Sequence, residues 1–196
     1  LKREKWKNLN GLWNYKITNK GDKKPTRYNK KILVPFPLES SLSGVQKRIT
    51  KNQELWYQLN FRVPKQWKHK QIILHFGAVD WESEVWINNK KVGFNQGGYT
   101  PFSFDITPYL KSGKQKLELR VWDPTNDGYQ PAGKQVKNPA GIWYSPVSGI
   151  WQTVWLEPVE KTYITNLKVS SDIDKSNVII DTKFSTDVTN YLLEFT

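Results

Sequence analysis

Apolar and polar residues alternate one by one through several short runs of the chain, and Gly, Pro, Asn or Asp separates each run from the next. A period of two puts successive side chains on opposite faces, so each run predicts a strand with one face toward a core. The runs are Trp13–Thr18, Glu54–Val63, Gln71–Phe76, Glu84–Asn88, Lys116–Trp122 and Thr153–Glu157. In the second, Tyr57, Leu59, Phe61 and Val63 share one face, and Trp56, Gln58, Asn60 and Arg62 the other. In the fifth, Leu117, Leu119 and Val121 oppose Lys116, Glu118 and Arg120 without exception. The stretch Val85 to Gly93 predicts a hairpin, because Asn88 and Asn89 tolerate the left-handed backbone of a tight turn. Helical periodicity is nearly absent. Short strands with turn residues between them predict an all-β sandwich.

Two segments resist a strand reading. In Val34–Ser40 two prolines exclude a central strand. Asp123–Gly149 is long and rich in Pro, Gly and Asn, and connections of that length are often functional. Its bland reading is a packed crossover loop. From Tyr163 the texture changes, and Leu167–Val169, Val178–Ile180 and Tyr191–Leu193 read as three fresh strands. Three strands do not close a sandwich, so residues 161–196 are expected to begin a second domain, after a first over 1–160.

Ten Trp residues suggest a large β core, a carbohydrate-facing surface, or both, because each ring buries a large area and its N–H needs a partner. The net charge of +12 invites a nucleic-acid reading. Its distribution opposes one: residues 1–31 hold eleven Lys or Arg against Glu4 and Asp22, which is +9 of the total. That run reads as a solvated lead segment. With no Cys, disulfides and thiolate metal sites are excluded, and His69 and His75 have no zinc spacing. No apolar run is long enough for a membrane-spanning helix, and LKREKWKN lacks a signal-peptide core. With no Met either, the chain reads as a fragment or processed form. No phosphate loop, dinucleotide fingerprint or Ser/His/Asp arrangement is present, so no cofactor or metal is implied.

Four segments then stand out together: ILVPFPLESSLSGV at 32–45, LHFGAVDWESEVWINNKKVGFNQGGYTPFSFDITPYL at 74–110, RVWDPTNDGYQPAGKQ at 120–135 and GIWYSPVSGIWQTVWLEPV at 141–159. In this order they resemble the sugar-binding domain of family 2 glycoside hydrolases, the β-galactosidase, β-glucuronidase and β-mannosidase family. The resemblance covers roughly residues 8–160. It implies a galactose-binding-like jelly-roll β-sandwich, followed by an immunoglobulin-like β-sandwich, incomplete in this chain, and then a catalytic barrel. The family's acid/base and nucleophile glutamates lie on that barrel, and no position here matches their motifs. The implied parent is a retaining glycosidase acting on terminal β-glycosidic bonds with two close carboxylates. This chain is expected to be its non-catalytic N-terminal part.

By the same resemblance, the loop after Asp123 reaches toward the sugar pocket. The matching residues are Asp123, Lys134, Gln135, Trp143 and Tyr144. The first three carry groups that hydrogen-bond sugar hydroxyls, and the two aromatics offer flat faces to a sugar ring. For Asp123 the competing reading is an Asx turn before Pro124. The sequence departs from the family at Ala132, where Arg is expected. Asp80 and Trp81 read as structural. Asp105 reads as a turn residue. The expected partner is a carbohydrate bound with the barrel, with no nucleic acid or membrane and with homo-oligomerisation open. The expected location is periplasmic or secreted. The alternative is a free-standing carbohydrate-binding module.

Overall fold

A computed structural model describes residues 3–189 and 192–194. Fourteen strands follow one another among the described residues: β1 Lys7–Asn8, β2 Gly11–Asn19, β3 Lys30–Val34, β4 Gln53–Phe61, β5 Gln71–Phe76, β6 Val79–Asp80, β7 Glu82–Ile87, β8 Lys90–Gln96, β9 Phe102–Asp105, β10 Gln115–Trp122, β11 Gly149–Ile150, β12 Val154–Val159, β13 Ile164–Asp172 and β14 Asn177–Phe184. A six-stranded sheet has the order β3-β2-β4-β10-β7-β8 and a four-stranded sheet the order β1-β12-β5-β9. The expected β-sandwich is therefore present. Two two-stranded sheets complete the pairing, the short β11 with β6 and the longer β13 with β14.

The alternation read from sequence decides which face is buried. Leu117, Leu119 and Val121 of β10 are fully buried, as are Leu55 and Tyr57 of β4 and Val85 and Ile87 of β7. The opposing sheet contributes Leu74, Phe76, Val154 and Leu156. Burying each such side chain stabilises the fold by roughly 1.5–3 kcal/mol relative to exposure. Trp13 packs edge-on against Tyr57 at 6.2 Å between ring centroids, and its indole N–H donates to the Leu9 carbonyl at 2.8 Å. Asn88 and Asn89, both at positive φ, turn the chain between β7 and β8.

The basic run differs from expectation. β2 and the start of β3 lie inside it, and part of it covers the outer face of the six-stranded sheet. There Lys24 pairs with Glu118 at 2.9 Å, and Tyr28 donates to the same carboxylate. Lys20 sits over the Trp122 ring at 3.3 Å. The run is ordered because these partners stand ready for its cations. Beside them Arg120 bridges Glu54, Glu82 and Glu84.

Strand ends also shift. β4 stops at Phe61 rather than Val63, because Val63 leads into the turn at Pro64. In the last third, β13 and β14 contain two of the three expected strands. Of the third, Tyr191 lies outside the described residues, and Leu192 and Leu193 are in no strand.

Candidate functional site

The long connection between β10 and β11 is closed at its base by its own end residues. Asp123 accepts from the Thr125 N–H at 2.6 Å, which is the Asx turn weighed from sequence. Its other oxygen accepts from the Ser148 hydroxyl at 2.6 Å. Asp123 is only 2% exposed. In front of this closure stands Glu39, delivered by the proline turn after β3. It accepts from the Ser148 N–H at 2.9 Å, while the Leu38 N–H donates to the Ser148 carbonyl at 3.1 Å.

Within the loop, the Tyr144 N–H donates to the Lys134 carbonyl and the Val136 N–H to the Tyr144 carbonyl. These bonds lay 134–136 alongside 144, with Gln135 and Tyr144 as a parallel bridge. The Arg48 guanidinium donates to the Lys137 carbonyl, and Lys137 pairs with Asp127. Gln135 pins the middle to the sandwich. Its amide nitrogen donates to Asp80 and to the Tyr99 hydroxyl, each at 3.1 Å, and its oxygen accepts from the Val147 N–H at 2.6 Å.

The five residues picked from sequence therefore divide. Asp123 and Gln135 turn inward, and their polar atoms are engaged by the chain itself. Lys134, Trp143 and Tyr144 turn outward, the two aromatics 49% and 64% exposed. Ile142 is exposed beside them. The loop thus presents one cation and flat apolar surface from a base held by hydrogen bonds at Asp123, Gln135 and Ser148.

Beneath the loop lies Asp80, read from sequence as structural, and its burial beside Glu39 and Asp123 is what sequence did not show. Asp80 is 4% exposed in β6, where it pairs in register with Gly149. Gly98 passes so close that a Cβ there would overlap the Asp80 carboxyl. The Asp80–Trp81 and Val34–Pro35 peptide bonds are both cis. Burial pushes the Asp80 carboxyl up to about 7, helped by the charge of Asp123 and opposed by the Gln135 hydrogen bond. Burial likewise pushes Glu39 up to about 7, opposed mainly by its bonds from Ser148. Asp123 is also raised by burial. The apolar neighbours of Glu39 and Asp80, Pro37-Leu38 and Ala78-Val79, are the local signal, and it does not reveal the distant partners that bury them.

Raised carboxyls mark functional-site candidates in general. Here their oxygens serve loop closure, and the exposed chemistry lies on the loop above. Among the described residues no cluster of three or more His, Cys, Asp or Glu is arranged to hold a metal ion.

Elsewhere, on the outer face of the four-stranded sheet, His75 stacks on Trp155 at 4.7 Å and approaches Glu157 at 3.1 Å. Glu157 also takes Arg3 at 2.8 Å. An open groove of about 440 Å³ runs between Tyr99, Trp151 and Trp155.

A family model described as "Glycosyl hydrolases family 2, sugar binding domain" matches residues 27–158. A β-galactosidase of Thermoanaerobacter pseudethanolicus is 33% identical over 114 residues, 57% of this chain and 14% of that protein. A β-glucuronidase of Formosa agariphila is 32% identical over 112 residues, 57% of this chain and 11% of that protein. A solved β-glucuronidase from an uncultured Clostridium species superposes on 95% of this chain and 35% of its own, with a TM-score of 0.73 at 22% identity. That last likeness is one of fold. The chain spans a minor part of the length of each of these three proteins.

Proposed function

The chain belongs to the sugar-binding domain family of the family 2 glycosyl hydrolases, and from that premise we propose that it is the non-catalytic N-terminal sandwich of a glycosidase acting on terminal β-glycosidic bonds. The observation that carries the reading is the 124–148 loop, tied down at Asp123, Gln135 and Ser148 yet presenting Lys134, Trp143 and Tyr144 outward. This anchoring holds the outward side chains in fixed positions above the sandwich. In this reading Lys134 hydrogen-bonds substrate hydroxyls, and the aromatics pack on a sugar ring. Asp123 and Gln135 are positioning residues that hold those three in place.

The reaction itself belongs to carboxylates of the parent's catalytic barrel. We assign residues from about 161 to the start of a second, immunoglobulin-like sandwich. Supporting this, Leu167, Val169 and Val178 of the β13–β14 hairpin are exposed, and an isolated hairpin with an uncovered apolar face is marginal in water.

The test is a panel of nitrophenyl galactosides, glucuronides and mannosides. The parent enzyme turns over at least one, and this chain alone none. Turnover by the chain alone, lost on substituting one of its own carboxylates, overturns the reading.

The second reading, a free-standing carbohydrate-binding module, is favoured by the groove between Tyr99, Trp151 and Trp155. It predicts that the isolated chain binds an oligosaccharide with quenching or enhancement of Trp fluorescence.

A further inference from the structure

Three carboxyls meet under the base of the long loop from three directions: Glu39 from the turn after β3, Asp80 from β6 and Asp123 from the end of β10. They act on one another. The charge of Asp123 disfavours ionisation of both Glu39 and Asp80, and the charge of Glu39 disfavours that of Asp80. The groups bonded to them are neutral: Ser148, Thr125 and Gln135. The Tyr57 hydroxyl, raised by burial, also feels Glu39. Among the described residues no ion pair joins any of the three to a cation. One Glu39 oxygen accepts from Ser148, and the other is buried without a partner.

We propose that Glu39, Asp80 and Asp123 form a proton-controlled latch for the 124–148 loop, closed while protons neutralise the cluster and loosened when they leave.

Ser148 and Gln135 couple the carboxyls to the loop. Ser148 is gripped by two of the carboxyls at once, its N–H by Glu39 and its hydroxyl by Asp123. If both are ionised, two like charges face each other across the residue that closes the loop. Gln135 ties the loop's middle to the third carboxyl. With no cation to offset them, three negative charges here are opposed by burial and by mutual repulsion. At low pH the protons sit on the carboxyls and the closure holds. At high pH they pass to solvent, and opening the loop hydrates the charges that remain.

The sign follows from the raised folded-state values. Glu39 and Asp80 stand near 7 in the fold, above their ordinary 4.5 and 3.8. Groups raised by folding stabilise it fully below their ordinary values, and that contribution is lost as pH rises to the folded value. The latch therefore weakens from about pH 4 to about pH 7 and stays weak above. It is a property of this chain's own loop. Only its effect on substrate access rests on the reading above, so the test reads the loop and not turnover.

Amide hydrogen exchange of the chain, expressed as protection factors to remove intrinsic pH effects, follows Gln135, Val147 and Ser148 from pH 5 to pH 8. Protection of these amides should fall roughly tenfold or more, while β4 and β10 hold theirs. Glu39→Gln with Asp80→Asn keeps hydrogen-bond acceptors and removes two charges. In that variant the fall should shrink to what Asp123 alone contributes. Each single substitution should remove part of it, which keeps the test decisive if the double variant does not fold. Protection that is flat with pH in the unaltered chain overturns the latch. So does a fall that survives both single substitutions.

Discussion

The Ser148 hydroxyl donates to the Asp123 carboxylate across 25 positions of sequence, at 2.6 Å, with both side chains buried. This bond makes a closed unit of a segment that otherwise reads as an irregular connection. Ser148→Ala should therefore act on loop and fold together. It leaves a buried Asp123 oxygen without its donor, at a cost of about 1–3 kcal/mol. Urea denaturation should show a lower midpoint at unchanged slope, with lost protection concentrated in 124–148. An unchanged midpoint assigns the loop's order to its other anchors.

The closure also depends on a glycine. Gly149 stands at φ +88, and a Cβ there would overlap the Tyr57 hydroxyl, which in turn accepts from the Ile150 N–H at 3.2 Å. Gly149→Ala should destabilise by about 2 kcal/mol or more, since it adds backbone strain to a clash in a filled core. Tyr57→Phe, which removes only the hydroxyl, should cost about 1 kcal/mol. If the double variant recovers stability relative to Gly149→Ala alone, the hydroxyl is the clashing group.

Arg120 stands at 3.0 Å from both Glu54 and Glu84 and at 3.3 Å from Glu82 on the outer face of the six-stranded sheet. Glu54 is 1% exposed. Arg120→Met keeps the packed stem and removes the charge, stranding Glu54. The expected loss is about 3–5 kcal/mol, typical of breaking one side of a buried pair. Arg120→Lys should recover only part, because an ammonium cannot fork between three carboxylates. Thermal melts of the two variants test this directly.

His75 gives a dependence of opposite sign to the loop carboxyls. Burial holds its imidazole below the ordinary value of 6.5, against the pull of Glu157. A histidine lowered by folding contributes stability that is present above its ordinary value and lost as pH falls below it. His75→Phe keeps the stack on Trp155 and should remove this loss. Compared at pH 5 and pH 7.5, the unaltered chain should lose more stability at the lower pH than the variant does.

How much of this was legible follows from which contacts are local. β10 reads cleanly because each of its residues knows its face from its neighbours. β3 was hidden, since its start at Lys30-Lys31 belongs to a basic run that reads as solvated and leaves only Ile32-Leu33-Val34 before the prolines. β9 is four residues between Pro101 and Ile106, too short to show a period. Of the site, the outward residues of the loop were reachable by resemblance. Asp123 and Gln135 were reached the same way, and the Asx turn of Asp123 was read from Pro124, whereas the burial of Glu39 is decided by Ser148, 109 positions away. The role of Gln135 depends on Asp80 and Tyr99, which only the completed sandwich brings within reach.

The division of the loop into anchors and presenting residues makes the sharpest functional prediction. Lys134 is exposed, and no side-chain bond ties it to the chain among the described contacts, so Lys134→Ala should hardly move the melting temperature. If it contacts substrate in the parent enzyme, a charged hydrogen bond worth about 1.5–3 kcal/mol disappears. Catalytic efficiency should then fall roughly ten- to a hundredfold, since about 1.4 kcal/mol is a factor of ten. Gln135→Ala should lower efficiency and stability together, because it frees the loop from Asp80, Tyr99 and Val147. Trp143→Ala should behave like Lys134→Ala, with loss of activity and little loss of fold. The contrast between these variants is the discriminating result. Activity that falls only in step with melting temperature across all three would make the loop scaffolding and remove Lys134, Trp143 and Tyr144 from the site.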